Sequence, residues 1–245
     1  MRLAACHALL QIFFGFFLVA PAMAGVLLES SRVVFASQNR EQSLLLLNEN
    51  SYPVLIQAWI DNGAPEGTPS TAESPIMPLP GLFRLEAGER KNLRLLNTGL
   101  PQAQDKESLY WLNIYEIPPV DANLPQDATS LTVAIRLQLK MFFRPKLDVS
   151  IEALSNSLKF SLDPKQKTLK VENPMPYFAT LSCVRLMRGE QGQDLHAGML
   201  APFSSLLIKL DEPFWDAGRS DLSVEYAIID DDGNERVESQ RLKNN

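Results

Sequence analysis

The apolar residues of this chain recur with a period of two in one short run after another. A β-strand with one buried face has that spacing and a helix does not. The runs are "RVVFAS", "SLLLLNE", "PVLIQAWID", "GLFRLEA", "NLRLLN", "SLYWLNIYEI" and "LTVAIRLQLK", separated by Asn, Gly, Pro and Ser turn signals such as Asp61-Asn62-Gly63. Roughly six or seven strands in about 120 residues fit a β-sandwich of immunoglobulin type.

After Pro145 a second series follows: "LKFSLD", "TLKVENP", "FATLSCVRL", "SSLLIKLD", "LSVEYAIIDD" and "RVESQRLK". The predicted organisation is all-β, with two immunoglobulin-like sandwiches in tandem at residues 25–146 and 147–245. The boundary falls near Pro145 to Asp148. Ala64 to Pro80 carries five prolines and reads as a loop with an edge segment, because proline gives a sheet no ladder donor.

The first 24 residues read differently. Arg2 precedes an apolar run from Ala8 to Val19, and Ala22-Met23-Ala24 has the small-x-small form of a signal-peptidase site. Residues 1–24 are therefore expected to be a cleaved export signal. The run is short for a membrane span, and nothing after Gly25 approaches the length a span needs, so no membrane insertion is expected.

Removing 24 of 245 residues leaves 221, with Cys183 as the single cysteine and His196 as the single histidine. No internal disulfide follows, although export implies an oxidising compartment. About 220 residues suit two domains of roughly 100 each and can bury a core without staples. The net charge of −6 becomes −7 once Arg2 is lost, which argues against a nucleic-acid partner.

Catalytic constellations are scarce. One histidine and one cysteine cannot build a multi-His or Cys-rich metal site. A Ser-His-Asp arrangement would rest on His196 alone, without a Gly-x-Ser-x-Gly elbow. No enzymatic activity, metal or cofactor is expected. His196, in "GQDLHAGML", reads as a turn residue. Asp230-Asp231-Asp232-Gly233-Asn234-Glu235 fails the EF-hand spacing and reads as an Asp-Gly hairpin turn. Cys183, in the apolar run "FATLSCVRL", is expected to be a buried, inert thiol.

"LTVAIRLQLKMFFRP", residues 131–145, is the most informative stretch. Leu131, Val133, Ile135, Leu137 and Leu139 alternate with Thr132, Ala134, Arg136, Gln138 and Lys140, giving one apolar and one polar row. Lys140 ends this strand and Arg32 opens the first, each among apolar neighbours. Cations beside core-bound segments are unfavourable unless paired. Solvent-pointing or snorkelling side chains are the simplest reading for both.

"SRVVF" (31–35), "SLLLLN" (43–48), "PVLIQAWID" (53–61), "FRLEAGE" (83–89), "DKESLYWLNIYEIPP" (105–119), "LKMFFRP" (139–145) and "NPMPYFATL" (173–181) occur here in one order. In them the chain resembles the periplasmic chaperones of the chaperone-usher pilus pathway. "DKESLYWLN" plus "IPP" resembles that family's signature region. Gln102 stands where the family usually has an apolar residue, and the connection Val120 to Thr129 lacks the cysteine pair of the long-loop subclass.

The resemblance implies a boomerang of two immunoglobulin-like domains. Such a chaperone binds, folds and caps pilus subunits in its cleft and delivers them to an outer-membrane usher, without nucleotide or cofactor, in the periplasm. The mode is donor-strand complementation, a form of strand addition. Leu131, Val133 and Ile135, with Leu137 extending the row, correspond to the donated side chains. Arg32 and Lys140 correspond to the anchor for the subunit's C-terminal carboxylate. Glu107, Arg144 and Asp231 correspond to an interdomain ion-pair network. The alternative is a structural pilus subunit or adhesin, which would be expected to offer one domain lacking a strand rather than two full series. The resemblance also allows the free chain to cover its apolar strand as a self-capping homodimer.

Overall fold

The computed structural model describes residues 25–120, 131–163, 165–211 and 222–242. The expected export signal, residues 1–24, and the connection 121–130 lie outside these. Among the described residues no helix is long and apolar enough to cross a membrane.

Two sandwiches follow one another along the chain. Among the described residues the first has nine strands: β1 (Val26–Leu28), β2 (Arg32–Ala36), β3 (Glu41–Asn48), β4 (Val54–Asp61), β5 (Ile76–Leu79), β6 (Leu82–Leu85), β7 (Arg90–Asn97), β8 (Ser108–Ile117) and β9 (Ile135–Arg144). One sheet has the order β1-β3-β7-β5 and the other β2-β9-β8-β4-β6. Their inner faces meet in a core that includes Phe35, Leu46, Ile56, Leu93, Leu112, Ile114 and Met141.

The N-terminal edge changes sheets between Leu28 and Arg32: β1 pairs with β3, whereas β2 runs parallel to β9. Buried Glu116 holds β1 in place by accepting from Val26 N–H at 3.0 Å and from Asn50 Nδ2 at 2.8 Å. Pro78 lies in β5, which among the described residues pairs only with β7 and so forms a sheet edge. A proline is tolerated there because one side of the strand needs no donor.

The second sandwich begins with a short 3₁₀ turn, Ile151–Ala153, and one helical turn, Leu154–Ser157. Its strands are β10 (Lys159–Asp163), β11 (Thr168–Asn173), β12 (Ala179–Arg188), β13 (Gln191–Leu195), β14 (Gly198–Leu200), β15 (Ser204–Lys209), β16 (Leu222–Ile229) and β17 (Glu235–Arg241). One sheet is β10-β11-β15; the other is β13-β12-β16-β17, with β14 also on β12. Its core includes Leu169, Val171, Ala179, Leu186, Val224 and Tyr226.

Three expectations meet the structure here. His196 is exposed between β13 and β14. The acidic run closes the β16–β17 hairpin, with Asp230 N–H donating to Asn234 O at 2.9 Å and Gly233 at φ +88°. Cys183 is exposed, not buried. The cause is a bulge: β12 shifts register against β16 between Leu181 and Cys183. The extra residue reverses the in-out alternation, so Leu181 and Val184 face the core and Cys183 faces out.

Candidate functional site: an open-edged strand above a pair of cations

Strand β9 is paired unequally along its length. β8 accompanies it from Ile135 to Phe143, whereas β2 joins it only from Lys140, opposite Arg32, to Arg144. Residues 135–139 therefore have a neighbour on one side only among the described residues. The strand expected from Leu131 begins at Ile135; Leu131 to Ala134 have no ladder partner within the described chain.

Alternation divides the strand between two tasks. The odd row enters the domain's own core at Leu139, Met141 and Phe143, is half-buried at Leu137, and emerges at Ile135, Val133 and Leu131. Exposure climbs from 5% at Leu139 to 45% at Ile135, 60% at Val133 and 88% at Leu131. A core row thus continues beyond its own core. The even row, Arg136, Gln138, Lys140, Phe142 and Arg144, lies on the opposite face of the sheet.

Arg32 and Lys140 are register partners on adjacent strands. Arg32 is only 9% exposed; its Nη1 donates to Ile229 O at 3.2 Å and its guanidinium lies 6.0 Å from the Phe142 ring centroid. Its Nε is buried without a hydrogen-bond partner among the described residues. Neither cation has a carboxylate within ion-pair distance there. Burial pulls the Arg32 guanidinium below its ordinary value, and the charges of Asp231 and Asp230 offset this only in part. Burial, reinforced by Arg32, also pulls the Lys140 amine down. Two partly desolvated like charges thus lie side by side, an arrangement that is unfavourable unless opposite charge pairs with it.

The same face meets the second sandwich. Arg144 Nε donates to Glu107 Oε1 at 2.5 Å, while Nη1 and Nη2 fork onto the two oxygens of Asp231 at 2.6 and 2.8 Å. The other Glu107 oxygen accepts from Phe178 N–H at 2.8 Å. Arg144 also lies 5.1 Å from the Tyr177 ring centroid. Burial opposes the Arg144 cation, but Asp231 and Glu107 together outweigh it and hold the group above its ordinary value. Burial pushes the Glu107 carboxyl above the usual carboxylate range, incompletely offset by Arg144 and Phe178 N–H.

Phe142 packs on Phe178 across the junction, ring centroids 5.7 Å apart. The hairpin at Gly233 approaches β2 so closely that a Cβ there would lie 2.6 Å from Ser31 Oγ. A cavity of about 200 Å³ opens between the sandwiches, lined by Arg32, Phe142, Arg144, Phe178, Ile229 and Asp231 among others.

The residues predicted for the donor strand, the anchor and the ion-pair network fall along one strand and its flanks. Arg32 and Lys140 stand side by side, Leu131, Val133, Ile135 and Leu137 run away from them, and Glu107, Arg144 and Asp231 join across the junction. The sequence reading missed Phe142 and Phe178. Its signal was present: Phe142 is a large apolar residue in the otherwise polar even row, which marks a face covered by something else.

The chain is similar to known proteins of one family. Residues 25–147 match the family model "Pili and flagellar-assembly chaperone, PapD N-terminal domain", and residues 153–240 match "Pili assembly chaperone PapD, C-terminal domain". The chaperone protein FimB/FhaD of Bordetella pertussis is 34% identical over 88% of this chain and 87% of its own. The chaperone protein MrkB of Klebsiella pneumoniae is 33% identical over 82% and 86%. Among solved structures, the CupB2 chaperone of Pseudomonas aeruginosa superposes with a TM-score of 0.72 at 29% identity, covering 88% of this chain and all of that one. The SafB chaperone of Salmonella enterica, in complex with the SafA pilin, gives 0.72 at 26% identity, with coverages of 91% and 99%.

Proposed function

This chain belongs to the pilus-assembly chaperone family, whose members are not enzymes, and from that premise we propose that it binds, folds and caps pilus subunits by donor-strand complementation and passes them to an outer-membrane usher. One observation carries the proposal: among the described residues, an apolar row leaves its own core and continues uncovered, on a strand with an open edge, above two cations with no carboxylate partner. A subunit sandwich lacking a strand would bury Leu131, Val133, Ile135 and part of Leu137. Its C-terminal carboxylate would neutralise Arg32 and Lys140.

The three exposed side chains supply about 1.5–3 kcal/mol each on burial, before the losses of ordering and association are subtracted. Ladder bonds along 135–139 add affinity with little sequence preference. The carboxylate fixes register, because a slip of one residue would turn every side chain to the wrong face. The Glu107–Arg144–Asp231 cluster sets the angle between domains 25–146 and 147–245. Residues 1–24 direct the chain to the periplasm and are removed.

Two sandwiches favour this reading over that of a structural pilin or adhesin. The test is co-purification with the cognate subunit from periplasmic extract. A one-to-one complex that disappears in an Arg32→Ala, Lys140→Ala double variant supports the proposal. Self-polymerisation, or undiminished capture by the folded double variant, refutes it.

A further inference from the structure

Arg136 opens the even row of β9, four residues before Lys140 and within the stretch that lacks a second neighbour among the described residues. Every nitrogen of its guanidinium is engaged. Nε donates to Asn113 Oδ1 at 2.9 Å, Nη1 to Pro65 O at 2.8 Å, and Nη2 to Asp61 Oδ2 at 3.4 Å and Ala64 O at 3.5 Å. The plane lies over Trp59, 4.9 Å from the ring centroid.

Its partners are themselves fixed. Buried Asp61 also accepts from Trp59 Nε1 and Gly63 N–H, each at 2.8 Å. Buried Asn113 accepts Gln138 Nε2 at 2.8 Å and donates to the Trp59 and Trp111 carbonyls. Gly63, at φ +85°, lets the 62–65 loop lie on the Trp111 ring, where a Cβ would come within 2.2 Å. One side chain thus ties β9 to β8, to β4 and to a loop on the outer face.

A strand flanked on one side frays from its free end. Lys140 can fix the register only locally, and Ile135 lies about 17 Å further along at the rise of an extended chain. A second tether at Arg136 holds the far end. We propose that Arg136 is a positioning residue for capture: it keeps residues 135–139 in strand geometry, so that an incoming strand meets a template already in register. The role rests on the donor-strand reading above, since a template serves only a partner that pairs with it. Lysine cannot replace the fork, because an ammonium lacks its planar set of donors.

The test compares the full chain with Arg136→Met, Arg136→Lys, Asp61→Asn and the Arg136→Met, Asp61→Asn double variant. Amide exchange is measured at residues 135–139 and capture kinetics with the cognate subunit. Losing a network of this kind is expected to speed exchange at 135–139 and slow capture by about tenfold each, or about 1.4 kcal/mol. Exchange in β3, β7 and the second sandwich should stay unchanged, Arg136→Lys should not rescue, and the double variant should be no worse than the singles.

Unchanged exchange at 135–139 overturns the inference, and so does a capture defect that follows global destabilisation alone. If Arg136→Met does not fold, Asp61→Asn decides by the same two readouts. If the unsubstituted chain captures no subunit, the donor-strand reading fails, while the exchange comparison still decides whether Arg136 holds the edge.

Discussion

Lys140→Met should make the free chain more stable and a poorer partner at once. The ammonium sits partly buried beside Arg32 with no carboxylate in ion-pair range among the described residues, and burial, then Arg32, hold its pKa below the ordinary lysine value. A lysine pKa lowered by folding means that the folded chain binds this proton less tightly than the unfolded chain. The charge therefore counts against folding below the folded-state pKa, and the handicap fades as pH rises through it toward the unfolded value of about 10.4. Methionine keeps most of the aliphatic stem and removes the charge. Relief on the order of 1 kcal/mol, allowing for screening of the exposed part, corresponds to a gain of about 2–4 °C in Tm for a chain of this size.

Capture should move the other way. A charge-assisted bond to a carboxylate contributes about 1.5–3 kcal/mol, so its loss weakens affinity by roughly 10- to 150-fold. A carboxylate would also raise the Lys140 pKa in the complex. Affinity should thus be full below the free-chain pKa and decline as pH rises through the pKa of the complex, and Lys140→Met should lack that decline. Differential scanning calorimetry of the free chain and titration calorimetry with the cognate subunit measure both effects. A lower Tm together with undiminished capture would show that Lys140 is a structural cation, and the reasoning would be wrong.

The other substitutions separate capture from stability. Val133→Ser and Leu131→Ser should each weaken capture by about 10- to 150-fold, from about 1.5–3 kcal/mol of lost apolar burial, with Tm unchanged because neither residue is part of the free chain's core; competition binding and calorimetry check this. Arg144→Ala leaves Glu107 buried without its cation, which should cost about 3–5 kcal/mol and change the angle between the sandwiches seen by small-angle X-ray scattering; an unaltered angle and Tm would remove the network from the account. Gly233→Ala forces a Cβ into a left-handed turn, at about 1–2 kcal/mol, and against Ser31 Oγ. Adding Ser31→Ala should restore only the part due to the contact, as read by the two melting temperatures.

The long strands were legible because their apolar rows are regular: β3, β4, β7, β8 and β16 each show one face to a core. β13, Gln191–Leu195, was not, since its mostly polar residues pair along an edge of β12 and bury only Leu195. β1 and β14 are three residues each, too short for a period to appear. Cys183 was misplaced because a bulge breaks the alternation that the argument used, and a bulge depends on pairing partners that a single strand does not reveal. Similarly, the start of β9 is set by the end of its β8 partner, Glu116 opposite Ile135, and neither Leu131 nor Ile135 differs locally from Leu139. Periodicity identified the row, but only the register Arg32↔Lys140 showed where its second neighbour stops.

That register also bears on a hazard. An uncovered apolar strand edge invites pairing with any extended chain, and ladder bonds alone would select poorly among partners. Here the open edge ends at two desolvated cations. A segment that passed over Arg32 and Lys140 without a carboxylate would bury both further and leave them uncompensated, a penalty of several kcal/mol that its ladder bonds must first overcome. A chain that ends there in a carboxylate meets no such penalty and gains the charge-assisted bonds instead. Under the proposed function the cations would therefore act as much by exclusion as by attraction. Replacing them with apolar residues should broaden the set of strands that bind the edge while weakening the intended one, an outcome readable as increased capture of unrelated extended peptides by Arg32→Met, Lys140→Met. If the double variant gained no such binding, the discrimination would have to come from Leu131, Val133 and Ile135 alone.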